Sequence, residues 1–271
     1  MRARWGFCVV AILLTGCAGA DSTSPTQAPE GLSDVTILET LDRDPRFTQG
    51  LELLDDGTMV HSRGLYGESG VDILSASGEV LRSAELPDDE FGEGVTVVPI
   101  GPPGSEPGAT AYQLTWKSGT VHTWSLPDLV EGPSLQIDGE GWGICYDVTR
   151  DLLWQSDGSS TLHSLAVPDL SVLGTVDVTA PNGVALDQLN ELECVDGMVW
   201  ANVWKSANVV QINPETGDIS AVIDLSDVVA EQAPDGAESV LNGMAYDDRD
   251  GTFVVTGKNW DELYRVTFDG F

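Results

Sequence analysis

Short runs in which apolar and polar residues alternate fill most of the chain from about residue 35 onward, and a period of two is typical of β-strands. Turn signals rich in Asp and Gly separate these runs, among them Asp55-Asp56-Gly57, Asp196-Gly197 and Asp250-Gly251. The apolar residues recur at period two and not at the helical period of 3.6. The pattern therefore predicts an all-β fold built from many short antiparallel strands.

A four-residue opening recurs five times and reveals a repeat of nearly 50 residues. The openings begin alternating strands at residues 48–51, 92–95, 141–144, 189–192 and 241–244. The second positions of these openings are Gln49, Glu93, Trp142, Asn190 and Asn242, separated by 44, 49, 48 and 52 residues. Repeats of this length, made of three or four antiparallel strands, are typical of propeller blades. The sequence thus predicts a five-bladed β-propeller.

The two ends of the repeat array indicate how the ring closes. The fifth unit ends at Phe271 after its third strand, while residues 35–41 (VTILETL) alternate well and precede the first unit. We predict that this N-terminal segment supplies the outer strand of the last blade, which would remove two exposed sheet edges. A β-sandwich is the alternative all-β fold, but it would not require five self-similar units.

The first residues of the chain depart from the strand pattern. Arg2 and Arg4 precede an apolar run at residues 5–14, which is too short to span a bilayer but has the length of a signal-peptide core. The run ends in Leu14-Thr15-Gly16-Cys17, which resembles the lipobox of bacterial lipoproteins. The resemblance implies cleavage before Cys17 and lipidation of its thiol; an ordinary secretory signal is the alternative.

These features divide the chain into three parts. We predict a lipoprotein signal peptide at 1–16, a flexible tether rich in Ser, Thr, Pro and Ala at 17–33, and the propeller domain at 34–271. The protein would be exported and held on the extracytoplasmic side of a bacterial membrane by its lipid anchor only. We expect the domain to be a monomer.

Charge restricts the possible partners. The formal net charge of −32 repels nucleic acid and anionic membrane surfaces, so we expect no nucleic-acid partner. Against this acidic background, the only lysines are Lys117, Lys205 and Lys258, and each invites a functional interpretation.

Two cysteines remain after the predicted processing, Cys145 and Cys194. Export would place them where disulfides can form. Each follows an alternating motif typical of an inner strand, and we expect two buried free thiols rather than a bridge. The chain has no CxxC motif or Cys/His cluster, so no zinc site is predicted.

Some aromatic and histidine positions have a structural interpretation. Trp154 and Trp200 lie within second strands, where we expect them to pack between blades. His61, His122 and His163 lie in strands without triad spacing to a serine nucleophile, and we interpret them as surface or packing residues.

The mouth of the predicted channel is the candidate site. Innermost strands of a propeller start at one mouth, so the five second positions of the openings would converge there as one carboxyl, three amides and one indole. This set lacks the repeated acids or histidines that a catalytic metal requires. Glu93, which lies between glycines and follows Phe91, would be partly desolvated, and desolvation raises a carboxyl pKa toward the range useful for proton transfer.

Nine motifs in order, spanning residue 35 to the C-terminus, resemble the plant and bacterial type of glutaminyl-peptide cyclotransferase. They are Phe47-Thr48-Gln49-Gly50-Leu51, Gly64-Leu65-Tyr66-Gly67-Glu68-Ser69, Phe91-Gly92-Glu93-Gly94, Gln113-Leu114-Thr115-Trp116-Lys117, Gly139-Glu140-Gly141-Trp142-Gly143, Leu189-Asn190-Glu191-Leu192-Glu193, Ala201-Asn202-Val203-Trp204, Leu241-Asn242-Gly243-Met244-Ala245-Tyr246 and Thr256-Gly257-Lys258-Asn259-Trp260.

The resemblance implies a five-bladed propeller that cyclises the N-terminal glutamine of peptides or proteins to pyroglutamate and releases ammonia, without a metal or other cofactor. It implies that Glu93 is the general acid/base. Around the substrate it implies Phe47, Gln49, Phe91, Trp116, Trp142, Asn190, Trp204 and Lys258. The reaction also requires a donor for the developing oxyanion, and Lys258 and the Asn190 amide are the two candidates.

Two other functions stay open from the residues alone. A non-catalytic propeller could bind a peptide or sugar at an indole-lined mouth, because fold does not determine function. A lactonase-type propeller would instead gather acids and amides around a divalent ion.

Overall fold

The structure is a computed structural model that describes residues 32–100, 108–233 and 235–271. The predicted signal peptide, the lipobox cysteine Cys17 and almost all of the predicted tether lie outside these ranges. No helix in the described part is both long enough and apolar enough to cross a membrane.

Twenty strands and one helix form the secondary structure of the described residues, and the all-β prediction is confirmed. The helix is α1 (Ser226–Gln232). The strands are β1 (Leu32–Ser33), β2 (Val35–Leu53), β3 (Met59–Arg63), β4 (Gly70–Leu74), β5 (Val80–Glu85), β6 (Gly92–Pro99), β7 (Ala109–Thr115), β8 (Thr120–Leu126), β9 (Val130–Glu131), β10 (Leu135–Gln136), β11 (Ile144–Asp147), β12 (Leu152–Ser156), β13 (Thr161–Ala166), β14 (Val172–Asp177), β15 (Leu189–Val195), β16 (Met198–Val203), β17 (Asn208–Ile212), β18 (Ile219–Asp224), β19 (Leu241–Asp247) and β20 (Thr252–Phe268).

The strands form sheets that are mostly antiparallel meanders, as expected for a β-propeller. Their orders are β19-β20-β2-β3-β4-β5, β10-β8-β7-β6 with β9 beside β8, β11-β12-β13-β14, and β1-β18-β17-β16-β15. Inner strands of successive sheets pack on one another: β6 lies against β2 and β11, and β15 lies against β11 and β19. The propeller prediction is confirmed by this arrangement.

The six-stranded sheet contains two long strands that each serve two positions. The first half of β2 pairs with β20, with Val35 opposite Phe268, whereas its second half pairs with β3 from Thr48 opposite Arg63. The first half of β20 pairs with β19 instead. Residues 35–41 therefore pair with the C-terminal part of β20.

Glycines allow the openings of neighbouring inner strands to touch through their backbones. A Cβ atom on Gly94 would lie 2.8 Å from Gly143 Cα, and a Cβ atom on Gly143 would lie 2.0 Å from the Asn190 carbonyl oxygen. These distances leave no room for a side chain. The openings that contain Glu93, Trp142 and Asn190 consequently lie side by side.

The expectation of free thiols is wrong, because Cys145 and Cys194 form a disulfide with a Cα–Cα distance of 5.4 Å. Cys145 lies on β11 and Cys194 on β15, the inner strands of neighbouring sheets. Their separation of 49 residues is one repeat length, so the propeller brings the two positions together. The repeat was visible in the sequence, but its consequence for these two residues was not.

Two tryptophans within second strands pack in the core, as their positions predicted. Trp154 is buried in a cluster with Leu162 and Leu189. Trp200 is fully buried and stacks on Phe268 at 5.7 Å between ring centroids. These indoles therefore stabilise the fold, and neither belongs to the mouth.

Three glutamates on inner strands are hydrogen-bonded across sheet boundaries. Glu191 accepts from the backbone N–H of Leu51 at 3.4 Å and of Met244 at 3.1 Å. Glu193 accepts from Tyr246 N–H at 3.3 Å, and Glu52 accepts from the hydroxyl of a threonine on β6 at 2.9 Å. Burial raises the pKa of all three carboxyls, that of Glu52 to about 7.

These raised pKa values predict that the protein loses stability as pH rises. For Glu52, the stabilising contribution is complete below the unfolded pKa of about 4.3 and is lost as pH rises through about 7. We expect Glu52→Gln to flatten the fall in unfolding free energy between pH 5 and pH 8, measured by urea denaturation. Glu79→Gln, which removes an exposed carboxyl, is the matched control and should retain the wild-type pH dependence. If the unfolding free energy of the two variants depended on pH in the same way, the prediction would be contradicted.

Candidate active site

Glu93 is a buried carboxyl at the second position of β6. Only 5% of the residue is exposed, and its backbone carbonyl accepts a hydrogen bond from the Ser62 hydroxyl. Burial raises the pKa of Glu93 well above its usual range; the charge of Lys258 opposes this increase and that of Glu140 adds to it. A carboxyl with a raised pKa can both accept and donate a proton near neutral pH.

Lys258 brings a buried cation to the same region from β20. The residue is 4% exposed, and burial lowers the pKa of its ammonium while the charges of Glu93 and Glu238 raise it. Its Nζ atom lies 5.2 Å from the centre of the Phe47 ring. Lys258 and Glu93 thus form an electrostatically coupled pair contributed by different sheets.

Phe91 lies at the centre of a group of edge-to-face aromatic rings. Its ring centre is 6.0 Å from that of Phe47, 5.7 Å from that of Trp116 and 5.4 Å from that of Tyr66. Tyr66 is half exposed on the turn between β3 and β4. Because Phe91 directly precedes β6, this ring cluster forms an apolar surface at the start of the strand that carries Glu93.

A second aromatic group consists of Trp142 and Trp204, whose ring centres are 5.5 Å apart in an edge-to-face arrangement. Gly158 allows the Trp142 ring to approach the backbone, because a Cβ atom there would lie 2.6 Å from the indole. The Nε1 atom of Trp204 is buried and has no hydrogen-bond partner among the described residues.

Glu140 links the two aromatic groups. Its Oε2 atom accepts from Trp116 Nε1 at 2.7 Å and from Trp142 Nε1 at 3.1 Å. Lys117 Nζ lies 3.9 Å from the other carboxylate oxygen and 3.7 Å from the centre of the Trp116 ring. One side chain thereby holds indoles from two sheets.

The three amides of the predicted ring are all buried. Asn242 Nδ2 donates to the Thr48 carbonyl at 3.1 Å and lies 3.4 Å from Gln49 Oε1. The backbone carbonyl of Asn190 accepts a hydrogen bond from Ser156 Oγ, and this oxygen in turn accepts one from the backbone N–H of Gly143. Asn190 Oδ1 is buried without a hydrogen-bond partner in the described part of the chain, so this acceptor is available to a ligand.

Similarity to known proteins identifies the family of this chain. A family model described as glutamine cyclotransferase matches residues 8–268. The chain belongs to the glutamine cyclotransferase family. The chain is 30% identical to the glutaminyl-peptide cyclotransferase of Arabidopsis thaliana over 282 residues, which cover 98% of this chain and 84% of the relative. It is also similar to the crystal structure of Myxococcus xanthus glutaminyl cyclase, with a TM-score of 0.78, 31% identity, and coverage of 88% of this chain and 98% of that chain.

The residues predicted for the site fall into connected groups. Glu93 and Lys258 are coupled, Lys258 lies over Phe47, and Phe47 contacts Phe91. Phe91 also contacts Trp116, whose indole is hydrogen-bonded to Glu140. Glu140 accepts a second hydrogen bond from Trp142, and the Trp142 ring contacts Trp204. Gln49 lies near Phe91, since a Cβ atom on Gly64 would contact both side chains.

Two residues at this site were not predicted from the sequence. Glu140 stands two positions before Trp142 in a glycine-rich motif, and its spacing to Trp116 carries no signal because the two belong to different sheets. Tyr66 was visible only as a turn residue. All three lysines lie beside site aromatics, Lys205 being 4.2 Å from the Trp204 ring centre, so their rarity was the useful signal.

Within residues 32–100, 108–233 and 235–271, no group of three or more His, Cys, Asp or Glu side chains is arranged to hold a metal ion. His61 and His122, which were predicted to be surface or packing residues, are buried and hydrogen-bonded to Asp72 and Glu90.

Proposed function

We propose that this protein is a glutaminyl-peptide cyclotransferase, which converts the N-terminal glutamine of peptides or proteins to pyroglutamate and ammonia. The observation that carries the proposal is that Glu93 and Lys258 are both buried and act on each other through their charges, with Lys258 Nζ 5.2 Å from the Phe47 ring centre, in a chain of this family. The similarity to cyclotransferases over nearly the whole chain supports the same activity.

Glu93 performs the proton transfers of the proposed reaction. The neutral α-amine attacks the γ-amide carbon, and the carboxylate takes a proton from the amine nitrogen as the new C–N bond forms. The resulting carboxyl then gives this proton to the γ-amide nitrogen, which leaves as ammonia when its C–N bond breaks. Proton transfer of this kind contributes about 10²–10⁴ in rate. Protein groups alone balance the reaction, and we propose that no metal takes part.

Lys258 is our choice for the oxyanion donor, because the tetrahedral carbon develops its negative charge beside the proton carrier and Lys258 is the cation coupled to Glu93. We assign Asn190 to substrate binding, since its Oδ1 atom is buried without a hydrogen-bond partner among the described residues and can accept a substrate N–H. Lys258→Met should lower kcat by about 10²–10³. Asn190→Ala should act mainly on KM. If both variants raised KM and left kcat unchanged, this division of roles would be refuted.

The aromatic groups supply the remaining contribution. Indole and phenyl faces suit the aliphatic stem of glutamine, and their enclosure excludes water from the amine and the carboxyl. Binding holds the amine and the amide in a ring-like geometry. Much of the entropy that must be lost to bring the two groups together is therefore lost before the chemical step.

We also propose that the ring has five blades and is closed by the N-terminal strand. In support, β2 and β20 each pair on both halves, so the six-stranded sheet divides naturally into one unit on β19 and another on β2. Contacts of β19 with both β15 and β2 agree with a closed ring. Deletion of residues 35–41 should therefore leave the last unit without its outer strand and lower the Tm.

The decisive experiment measures ammonia release from a glutamine-initiated dipeptide with and without EDTA. We expect turnover that survives the chelator. Binding of the peptide by the folded protein without turnover would favour the non-catalytic propeller, and chelator-sensitive turnover would favour a metal-dependent enzyme.

A further inference from the structure

We propose that Glu140 is a positioning residue of this active site, whose carboxylate sets the separation and orientation of the Trp116 and Trp142 indoles that enclose the glutamine side chain. The proposal rests on the cyclotransferase function proposed above. Glu140 does not have to touch the reacting atoms, because it acts through the two indoles and through its charge.

The geometry of Glu140 is specific. Both indole N–H groups point to the same oxygen, Oε2, at 2.7 and 3.1 Å. Hydrogen bonds to an ionised acceptor are shorter and stronger than neutral ones. Trp116 follows β7 and Trp142 precedes β11, so the carboxylate joins aromatic walls that belong to different sheets. Without this link, the two indoles would keep only their separate ring contacts, Trp116 with Phe91 and Trp142 with Trp204.

Lys117 completes the arrangement on the outer side. Its Nζ atom lies 3.7 Å from the Trp116 ring centre and 3.9 Å from Glu140 Oε1. The lysine therefore covers the outer face of the indole and approaches the oxygen that the indoles leave unused. Because Lys117 and Glu140 are both about half exposed, solvent weakens this ion pair, and the two indole bonds carry most of the positioning.

Glu140 also acts on Glu93 through its charge. The groups that influence the Glu93 pKa are Lys258, which lowers it, and Glu140, which raises it, in addition to burial. Lys258 in turn faces Glu238 and Lys205. A negative charge at position 140 therefore favours the protonated form of Glu93, the form that delivers a proton to the leaving nitrogen.

A second Glu–Lys–Trp arrangement in the same mouth provides a matched control. Lys205 lies 4.2 Å from the Trp204 ring centre and 3.0 Å from Glu238. In contrast to Glu140, Glu238 does not receive the indole N–H, because Trp204 Nε1 has no hydrogen-bond partner among the described residues. Glu238→Gln thus removes an equally exposed charge from an equivalent stack without loosening an indole.

Three substitutions of Glu140 separate its two effects. In Glu140→Gln, the amide oxygen can still accept both indole bonds but the charge is lost. We expect KM within a few-fold of wild type and an acidic pKa of kcat/KM displaced to lower pH. In Glu140→Asp, the charge stays but the reach is one methylene shorter, so KM should rise while the acidic pKa moves less. Glu140→Ala should raise KM for a glutamine dipeptide about tenfold or more.

Indole N–H resonances give a readout that does not depend on turnover. In protein labelled with ¹⁵N-tryptophan, Glu140→Ala should displace the Trp116 and Trp142 Nε1–H signals and leave that of the core residue Trp200 in place. Glu238→Gln should leave the Trp116 and Trp142 signals unchanged. The substrate amine titrates identically in all variants, so any difference in the acidic pKa belongs to the enzyme.

Two results would overturn the proposal. One is unchanged Trp116 and Trp142 resonances in Glu140→Ala; the other is equal KM and equal acidic pKa for wild type, Glu140→Ala and Glu140→Gln. Failure of the cyclotransferase function is distinguishable, because wild-type protein would then release no ammonia while the resonances still responded to Glu140→Ala.

Discussion

Glu93→Gln is expected to lower kcat for ammonia release by about 10²–10⁴, with little change in KM. Glutamine keeps the size of the side chain and its place at the second position of β6, but it cannot exchange a proton between the amine and the leaving nitrogen. The carboxyl is buried and its pKa is raised, so no solvent-exposed group nearby can replace it easily. Single-turnover and steady-state assays with a glutamine dipeptide measure the loss.

Glu193→Gln is the matched control for this substitution. Glu193 is another buried inner-strand glutamate with a raised pKa, and its Oε1 atom accepts a backbone hydrogen bond that an amide oxygen can preserve. We expect this variant to retain kcat within a few-fold. Similar losses in the two variants would show that Glu93 acts on the fold of the ring, and a fully active Glu93→Gln would remove it from the mechanism.

Removal of the disulfide should have the largest effect on stability. The bond closes a loop of 49 residues, for which the chain-entropy relation gives a contribution of about 4 kcal/mol. We expect Cys145→Ala/Cys194→Ala to lower the Tm by roughly 10 °C, given 2–4 °C per kcal/mol for a domain of this size. Differential scanning calorimetry under oxidising conditions measures this change.

A reductant separates the effect of the bond from that of the lost side chains. Wild-type protein treated with a phosphine reductant in mild denaturant should approach the stability of the double variant, whereas the double variant itself should not respond. If reduction leaves the wild-type Tm unchanged while the variant unfolds early, then packing of the two sulfur atoms, and not the covalent link, stabilises the inner strands.

Much of the fold was accessible from the sequence because its signals are local and repeated. Alternation at period two, Asp-Gly turns and the recurring opening each depend on a few adjacent residues, and together they predicted the propeller. The segment at residues 35–41 was identified as a strand for the same reason. In the structure it pairs with β20. Trp154 and Trp200 were correctly placed in the core from their positions within second strands.

Features that depend on which sheets become neighbours were not accessible in this way. Cys145 and Cys194 were expected to be free because a separation of one repeat does not show that the two side chains on β11 and β15 come within bonding distance. Glu140 was missed as a site residue because one of its two indole partners is 24 residues away on another sheet.

The sequence by itself determined the strand period, the repeat, the family motifs and Glu93 as the single carboxyl among the second positions of the five openings, since each is a property of residue order. Only the tertiary structure decided which buried groups interact. It coupled Glu93 to Lys258, joined Trp116 to Trp142 through Glu140, and linked two cysteines one repeat apart. The physical reason is that desolvation, charge coupling and hydrogen bonding fall off within a few ångströms, and only the packing of one sheet on the next creates such distances.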